Sequence, residues 1–348
     1  MVVNQNPKDS LKSTWRRQDR KDWSFWHWIY EILGIYPDAL DQTPPVHSKS
    51  EKVPYLPAWQ LHRYVLFHAL IPLAIHQLYV SYTGRNLSTL AAYIFYSFAF
   101  KAIGIHEVHV LRRVGMKYGF LDGDAHPRDG IPDVGTGKVI RSLFSTTTFR
   151  PMFTVFIAYN KNLAPSSMNW AVAFVEMGLY GIVLDFWYYG YHRIMHEYEP
   201  FWRFHRTHHL TKHPNSLLVL YADEVQEFFD IAGIPLMTYV TLRALGFPMG
   251  FYEWWLGHIY VMFSELAGHS GIRLYACVPN VFSPLLGLVG GNLSIEDHDI
   301  HHRKGWKGSF NYGKNTLLWD QLFGTTGPRV ETYKENIDFE HKVDMPLL

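Results

Sequence analysis

The 348-residue chain reads as an all-α integral membrane protein, and three observations carry that expectation. Residues 64–84 hold no Asp, Glu, Lys or Arg between Arg63 and Arg85. A helix of that length, at 1.5 Å per residue, spans about 30 Å, the thickness of a hydrocarbon core. Histidines recur at helical spacing in three places, within 192–196, 205–209 and 298–302. Aromatic residues make up 16% of the chain, which suits a large core or belts at a membrane interface.

Taken in order, residues 1–22 are polar, and no apolar core of a cleaved signal follows their charges. WSFWHWIYEILGIY (23–36) is either an amphipathic segment on a membrane surface or a buried helix. Pro-rich 37–57 reads as a linker. After the span at 64–84 and the break GRN, LSTLAAYIFYSFAF runs to Lys101, so the pair predicts a membrane hairpin with both outer ends on one side. Arg112, Arg113, Lys117 and the charged stretch 122–141 favour the cytosol for that side. Apolar runs at 151–160, 162–175 and 177–191 follow, and 168–191 predicts a helix entering the histidine region. Residues 231–264 predict two helices with a bend, 281–293 and 303–313 Gly-rich loops, and 326–348 a polar tail. The expected divisions are an N-terminal segment and linker (1–57), a hairpin with its connecting loop (58–145), a histidine-bearing catalytic region (146–326) and a tail (327–348).

Lys+Arg 32 against Asp+Glu 31 leaves no net field to attract nucleic acid, so that class is excluded. Cys277 is the only cysteine, which rules out an intrachain disulfide and cysteine zinc sites.

The histidines carry the chemistry. His192 and His196 are i, i+4 and share a helical face; His205, His208 and His209 are i, i+3, i+4, and His298, His301 and His302 repeat that spacing. With 20 histidines in the chain, composition alone predicts about 0.06 occurrences of the H-x-x-H-H pattern, against the two present. A pH sensor needs neither repeated registers nor apolar flanks, whereas metal ligands must converge from rigid elements. Eight histidines are too many for one tetrahedral zinc and suit two ions with about four each. Both HRIMH and HDIHH lack the glutamate of a zinc metalloprotease helix. Imidazole leaves the metal charge uncompensated, so Asp185, Asp223, Asp297 and Asp299 are candidate acids. Asp185, seven residues before His192, is placed to orient that ring. His27, His47, His62, His126 and His341 are read as ordinary core or surface residues.

YHRIMH, HRTHH and HDIHH, the last followed by FNYGKNTLLWDQLFGT, resemble the fatty acid hydroxylase and sterol desaturase superfamily over about residues 180–326, in the style of its C-4 methylsterol oxidase branch. The resemblance implies a non-haem di-iron enzyme of the endoplasmic reticulum (or of the inner membrane if the source is bacterial). About four transmembrane helices would lie under a cytosolic helical cap holding the metals. It implies His192, His196, His205, His208, His209, His298, His301 and His302 as iron ligands. His269 in ELAGHSG falls where that branch has a further ligand, and Asp185 in DFWYYGYHR matches the acid before the first box. The chain departs from the family at YADEVQEF, where many members carry a histidine. Either Asp223 replaces that ligand or the site has one fewer. The GIHEVH histidines, His106 and His109, stay unassigned.

The expected activity is O₂-dependent hydroxylation or desaturation of a lipid-like C–H bond in a sterol, fatty acyl, sphingoid, isoprenoid or polyketide substrate. An apolar tunnel from the bilayer would deliver that substrate. No flavin, nicotinamide or haem motif is present, so electrons come from outside, with cytochrome b5 or an NAD(P)H-dependent reductase implied by the resemblance. The competing expectations are a zinc-dependent membrane hydrolase, which would need no O₂, and a divalent-metal transporter. The charges around the boxes (Arg193, Glu197, Arg203, Arg206, Lys212, Arg303) argue against mid-membrane transit.

Overall fold

The computed structural model describes residues 6–306 and 309–348. The first five residues of the polar N-terminal segment, and 307–308 in the loop expected at 303–313, lie outside the described residues.

The first helix, α1 (Phe25–Leu33), is opened by a Ser24/His27 capping box and closed by Gly34 in the left-handed conformation. A short strand, β1 (Val53–Tyr55), precedes α2 (Ala58–Thr83), which ends where Gly84 turns left-handed (φ 66). Ser88 caps α3 (Thr89–Tyr118) through the Ala91 amide, and the two helices make the expected hairpin. Next come α4 (Thr136–Ala158) and α5 (Trp170–Glu197), the latter opened by the Asn169 side chain. A one-residue break at Tyr198 leads into α6 (Glu199–His205), with Pro200 in its first turn.

After two 3₁₀ turns, α7 (Glu224–Phe228) runs through a π turn (Phe229–Gly233) into α8 (Ile234–Ala244). The bend expected within 231–264 follows, at 245–250, before α9 (Phe251–Gly268). The order ends with α10 (Ser283–Leu288), α11 (Ile295–Lys304), α12 (Leu318–Phe323) and β2 (Ile337–Lys342).

Packing centres on α9, which is buried almost throughout and touches α2, α3, α4, α5 and α11. An apolar helix enclosed on every side has no polar face to show, and WWLGHIYVMF shows none. The outer helices turn large apolar side chains outward instead: Ile71 and Leu78 on α2, Ile94 and Phe98 on α3, Phe149 and Phe156 on α4, Phe174 on α5 and Val240 on α8 are all exposed.

One expectation needs correcting, and another is met in part. The fold is mostly helical but not purely so. β1 and β2 pair in parallel (Val53 with Ile337, Pro54 with Asp338), so the supposed linker and the polar tail close on each other. Of the four or so membrane helices expected, two among the described residues, α2 and α5, are long and apolar enough to cross a bilayer. The 30 residues of α3 are long enough, but Lys101, Glu107, Arg112, Arg113 and Lys117 interrupt its apolarity.

Candidate metal centre

Five pieces of chain bring nine histidines together, all buried. The last turns of α5 carry His192 and His196; α6 ends on His205; a 3₁₀ turn holds His208 and His209; His269 caps α9; and α11 bears His298, His301 and His302. They sort into two groups, one of His192, His196, His205, His209 and His301, the other of His208, His269, His298 and His302, with candidate ligand atoms within 4.8 Å of one another in each. Each group can hold one metal ion.

This division was not legible as helical faces. The second box is not a single helix, because α6 stops at His205 and the chain tightens into a 3₁₀ turn. His208 and His209, consecutive there with ring planes at 88°, go to different groups. On α11 the i, i+4 pair His298 and His302 serves the group of four while His301 serves the other. The split is therefore five and four.

The rings are aimed by hydrogen bonds on their outer nitrogens. In five of them the Nδ1–H donates to an oxygen: His192 to the Tyr312 carbonyl (2.7 Å), His269 to the Glu265 carbonyl (2.7 Å) and His301 to the Phe310 carbonyl (2.8 Å). His302 donates to the Thr211 carbonyl (3.0 Å) and His205 to Gln226 Oε1 (2.9 Å). An imidazole that donates from Nδ1 holds a bare lone pair on Nε2. Those lone pairs face inward: His192 Nε2 lies 2.9 Å from His205 Nε2, His269 Nε2 lies 3.1 Å from that of His298, and buried His302 Nε2 has no protein partner. Lone pairs crowded head-on and left unsatisfied in a dry interior fit a bound cation and little else.

Burial is the main cause that holds these rings neutral. It lowers His205 to about 3 and both His269 and His301 to about 4, and drives His208, His209, His298 and His302 well below the usual imidazole value. Neutral imidazole is the form that ligates.

The candidate acids lie elsewhere. Asp223 is the N-cap of α7, accepting from the Val225 amide at 3.0 Å, and is not among either group; Gln226, three residues on, is the one that reaches a ring. Asp297 caps α11 and pairs with Arg329, while Asp299 pairs with Arg128 and Arg303.

Asp185 does not touch His192. It accepts from the amides of Lys314, Asn315 and Thr316 and from the Thr316 hydroxyl, while Asp320 accepts from the amides of Tyr312 and Gly313. The two carboxylates pin the loop whose Tyr312 carbonyl holds His192. Gly313 lets them close: a Cβ there would lie 2.1 Å from the Thr316 carbonyl oxygen and 3.0 Å from both carboxylates.

A second feature escaped the sequence reading. Glu265 accepts from Arg150 at 3.1 and 3.2 Å and pairs with Lys314 at 2.7 Å, and Lys314 also pairs with Asp230 at 3.1 Å. These four charges, distant in sequence, line one wall of a largely apolar cavity of about 1060 Å³, counted to its open side, that ends on His208, His269 and His298. All three belong to the group of four, which thus faces the space where a substrate would sit.

Residues 177–325 match the family described as fatty acid hydroxylase. Fatty acid hydroxylase vlmA of Lecanicillium sp is 41% identical over 323 residues, 87% of this chain and 88% of that protein. Ornithine lipid hydroxylase OlsE of Rhizobium tropici is 30% identical over 174 residues, 49% and 46% of the two chains. Methylsterol monooxygenase 2-2 of Arabidopsis thaliana is 28% identical over 194 residues, 54% and 66% respectively. No solved structure matches.

Proposed function

Because the chain belongs to the fatty acid hydroxylase family and is an oxidoreductase, we propose that it is a membrane-embedded, O₂-dependent lipid hydroxylase carrying two non-haem iron ions. His192, His196, His205, His209 and His301 would hold one iron, and His208, His269, His298 and His302 the other. The metals, when bound, supply activation of O₂ for attack on an unactivated C–H bond.

The chain's own residues do the rest. Tyr312, Phe310, Thr211, Gln226 and Glu265 fix the tautomers, so every ring so held offers Nε2. The apolar cavity binds the substrate against His208, His269 and His298 and keeps water out. Two electrons per turnover come from an external donor, cytochrome b5 or an NAD(P)H-dependent reductase. The exposed apolar faces of α2–α5 and α8 support insertion in a bilayer. We assign the histidine end to the cytosolic face, of the endoplasmic reticulum in a eukaryotic host.

The observation that carries this reading is the pair of all-histidine groups, one of which closes the end of an apolar cavity. Its test is iron content of anaerobically purified protein, followed by turnover on fatty acyl, sterol and polar lipids under ¹⁸O₂. Two irons and one ¹⁸O in an alcohol are expected. Turnover without O₂, or loading with zinc alone, would overturn it.

A further inference from the structure

Two cavities meet at one wall. The inner one ends on the histidines; the outer is a groove of about 1070 Å³, counted to its open side, lined by Lys138, Arg141, Phe149, Phe153, Glu224 and Phe228 among others. Ser142, Glu227 and Ile231 line both, and the Ser145 hydroxyl donates to the Glu227 carboxylate, tying α4 to α7 across the boundary. Ile231 sits in the π turn at Phe229–Gly233, a helix defect that often marks a functional site.

Resting on the lipid-oxidising reading above, we propose that Ser142, Glu227 and Ile231 form the neck through which a single acyl chain reaches the histidines from the outer groove. The groove is graded as an amphiphile is. Lys138 and Arg141 stand at one end, and Phe149 and Phe153 follow on the same helix, Phe153 about 20 Å beyond the cations at 1.5 Å per residue. Phe149, Phe153 and Phe228 are exposed beside the apolar outer faces of α4 and α8, so the open side is lipid-facing rather than aqueous. The polar headgroup is held at Lys138 and Arg141. The chain turns inward past Ile231 toward Leu143, Leu217 and Met262, so the end remote from the headgroup is the part brought to the metals.

The test is photolabelling of the full chain in phospholipid nanodiscs with two palmitic acid probes, one bearing a diazirine at the chain end and one beside the carboxylate. The chain-end probe is expected on Leu217 and Met262, and the carboxylate-side probe on 138–145 of α4. Ile231→Trp should cut inner labelling at least ten-fold while leaving groove labelling and metal content unchanged. A Ser145→Cys/Glu227→Cys pair, in a Cys277→Ser background, should do the same when bridged by a cleavable bis-thiol reagent, with reduction restoring labelling. Equal inner labelling with the neck open and bridged, or both probes marking the same residues, would overturn the proposal. Gated labelling with no O₂-dependent product would instead overturn the oxygenase reading and leave the access route standing.

Discussion

His192 Nε2 and His205 Nε2 face each other at 2.9 Å, and neither ring has a proton to put between them. Both protons sit on the far nitrogens, donated to the Tyr312 carbonyl and to Gln226 Oε1. Without a cation the contact is repulsive, so the pair fits a bound metal ion. Removing one ring should expose this. His205→Ala is expected to lose one metal equivalent by elemental analysis and to abolish turnover. Its metal-free form should unfold at a temperature no lower than metal-free wild type, measured after chelation. A strongly destabilised metal-free variant would argue that the rings are structural.

Gln226 and Asp223 lie on one short helix and predict opposite results. Gln226→Leu removes the acceptor that orients His205, and metal affinity by chelator competition should fall on the order of 10–100-fold. Asp223→Ala removes only an N-cap, at about 1 kcal/mol, and should leave metal content unchanged. Metal loss in Asp223→Ala with retention in Gln226→Leu would reverse the assignment.

The loop at 312–316 offers a second test of positioning. Asp185→Ala would strand several buried amides, each costing about 1–3 kcal/mol. Gly313→Ala would force the Thr316 carbonyl and both carboxylates apart. Both variants are expected to lower the unfolding temperature and to weaken metal binding, because the Tyr312 carbonyl that holds His192 moves with them. Normal metal content with lowered stability would confine the loop to a structural role.

Acid should destabilise the metal-free protein earlier than carboxylate titration alone would. Burial holds His205 at about 3 and His269 and His301 at about 4, against about 6.5 in the unfolded chain. Between those values the unfolded state binds protons that the folded state refuses, so stability is complete above about pH 6.5 and falls as pH drops toward 4. Thermal unfolding of the chelated protein from pH 7.5 to 5 should show the decline, and His301→Gln should flatten it. A pH-independent melting temperature over that range would count against neutral buried rings.

Much of this architecture was legible because its signals are local. The hairpin of α2 and α3, the long α5 and the bend before α9 follow from apolar run lengths and from Gly84, Gly246 and Pro248, features a chain carries at fixed spacing. His192 and His196 were readable as partners because i, i+4 on a continuous helix leaves little choice. The second box misled for a local reason too: H-x-x-H-H carries no mark of where α6 gives way to a 3₁₀ turn. At Asp223 a signal was present: Asp-x-x-Gln is the pattern of an N-cap with a polar N3 residue, which sends the aspartate to the backbone and turns Gln226 inward.

By itself, the sequence determined the histidine-rich ligand sets of the candidate metal centre and the helical frame, since both depend on residue type and on spacings of three or four. Tertiary structure alone decided the partition into five and four, the Tyr312 and Thr211 carbonyls that orient His192 and His302, and the charge cluster of Arg150, Asp230, Glu265 and Lys314 beside the cavity. The ion pairs of that cluster join residues 49 to 115 positions apart. At such separations the direction of a side chain depends on how α4, α5, α9 and α11 pack, and no local pattern encodes it.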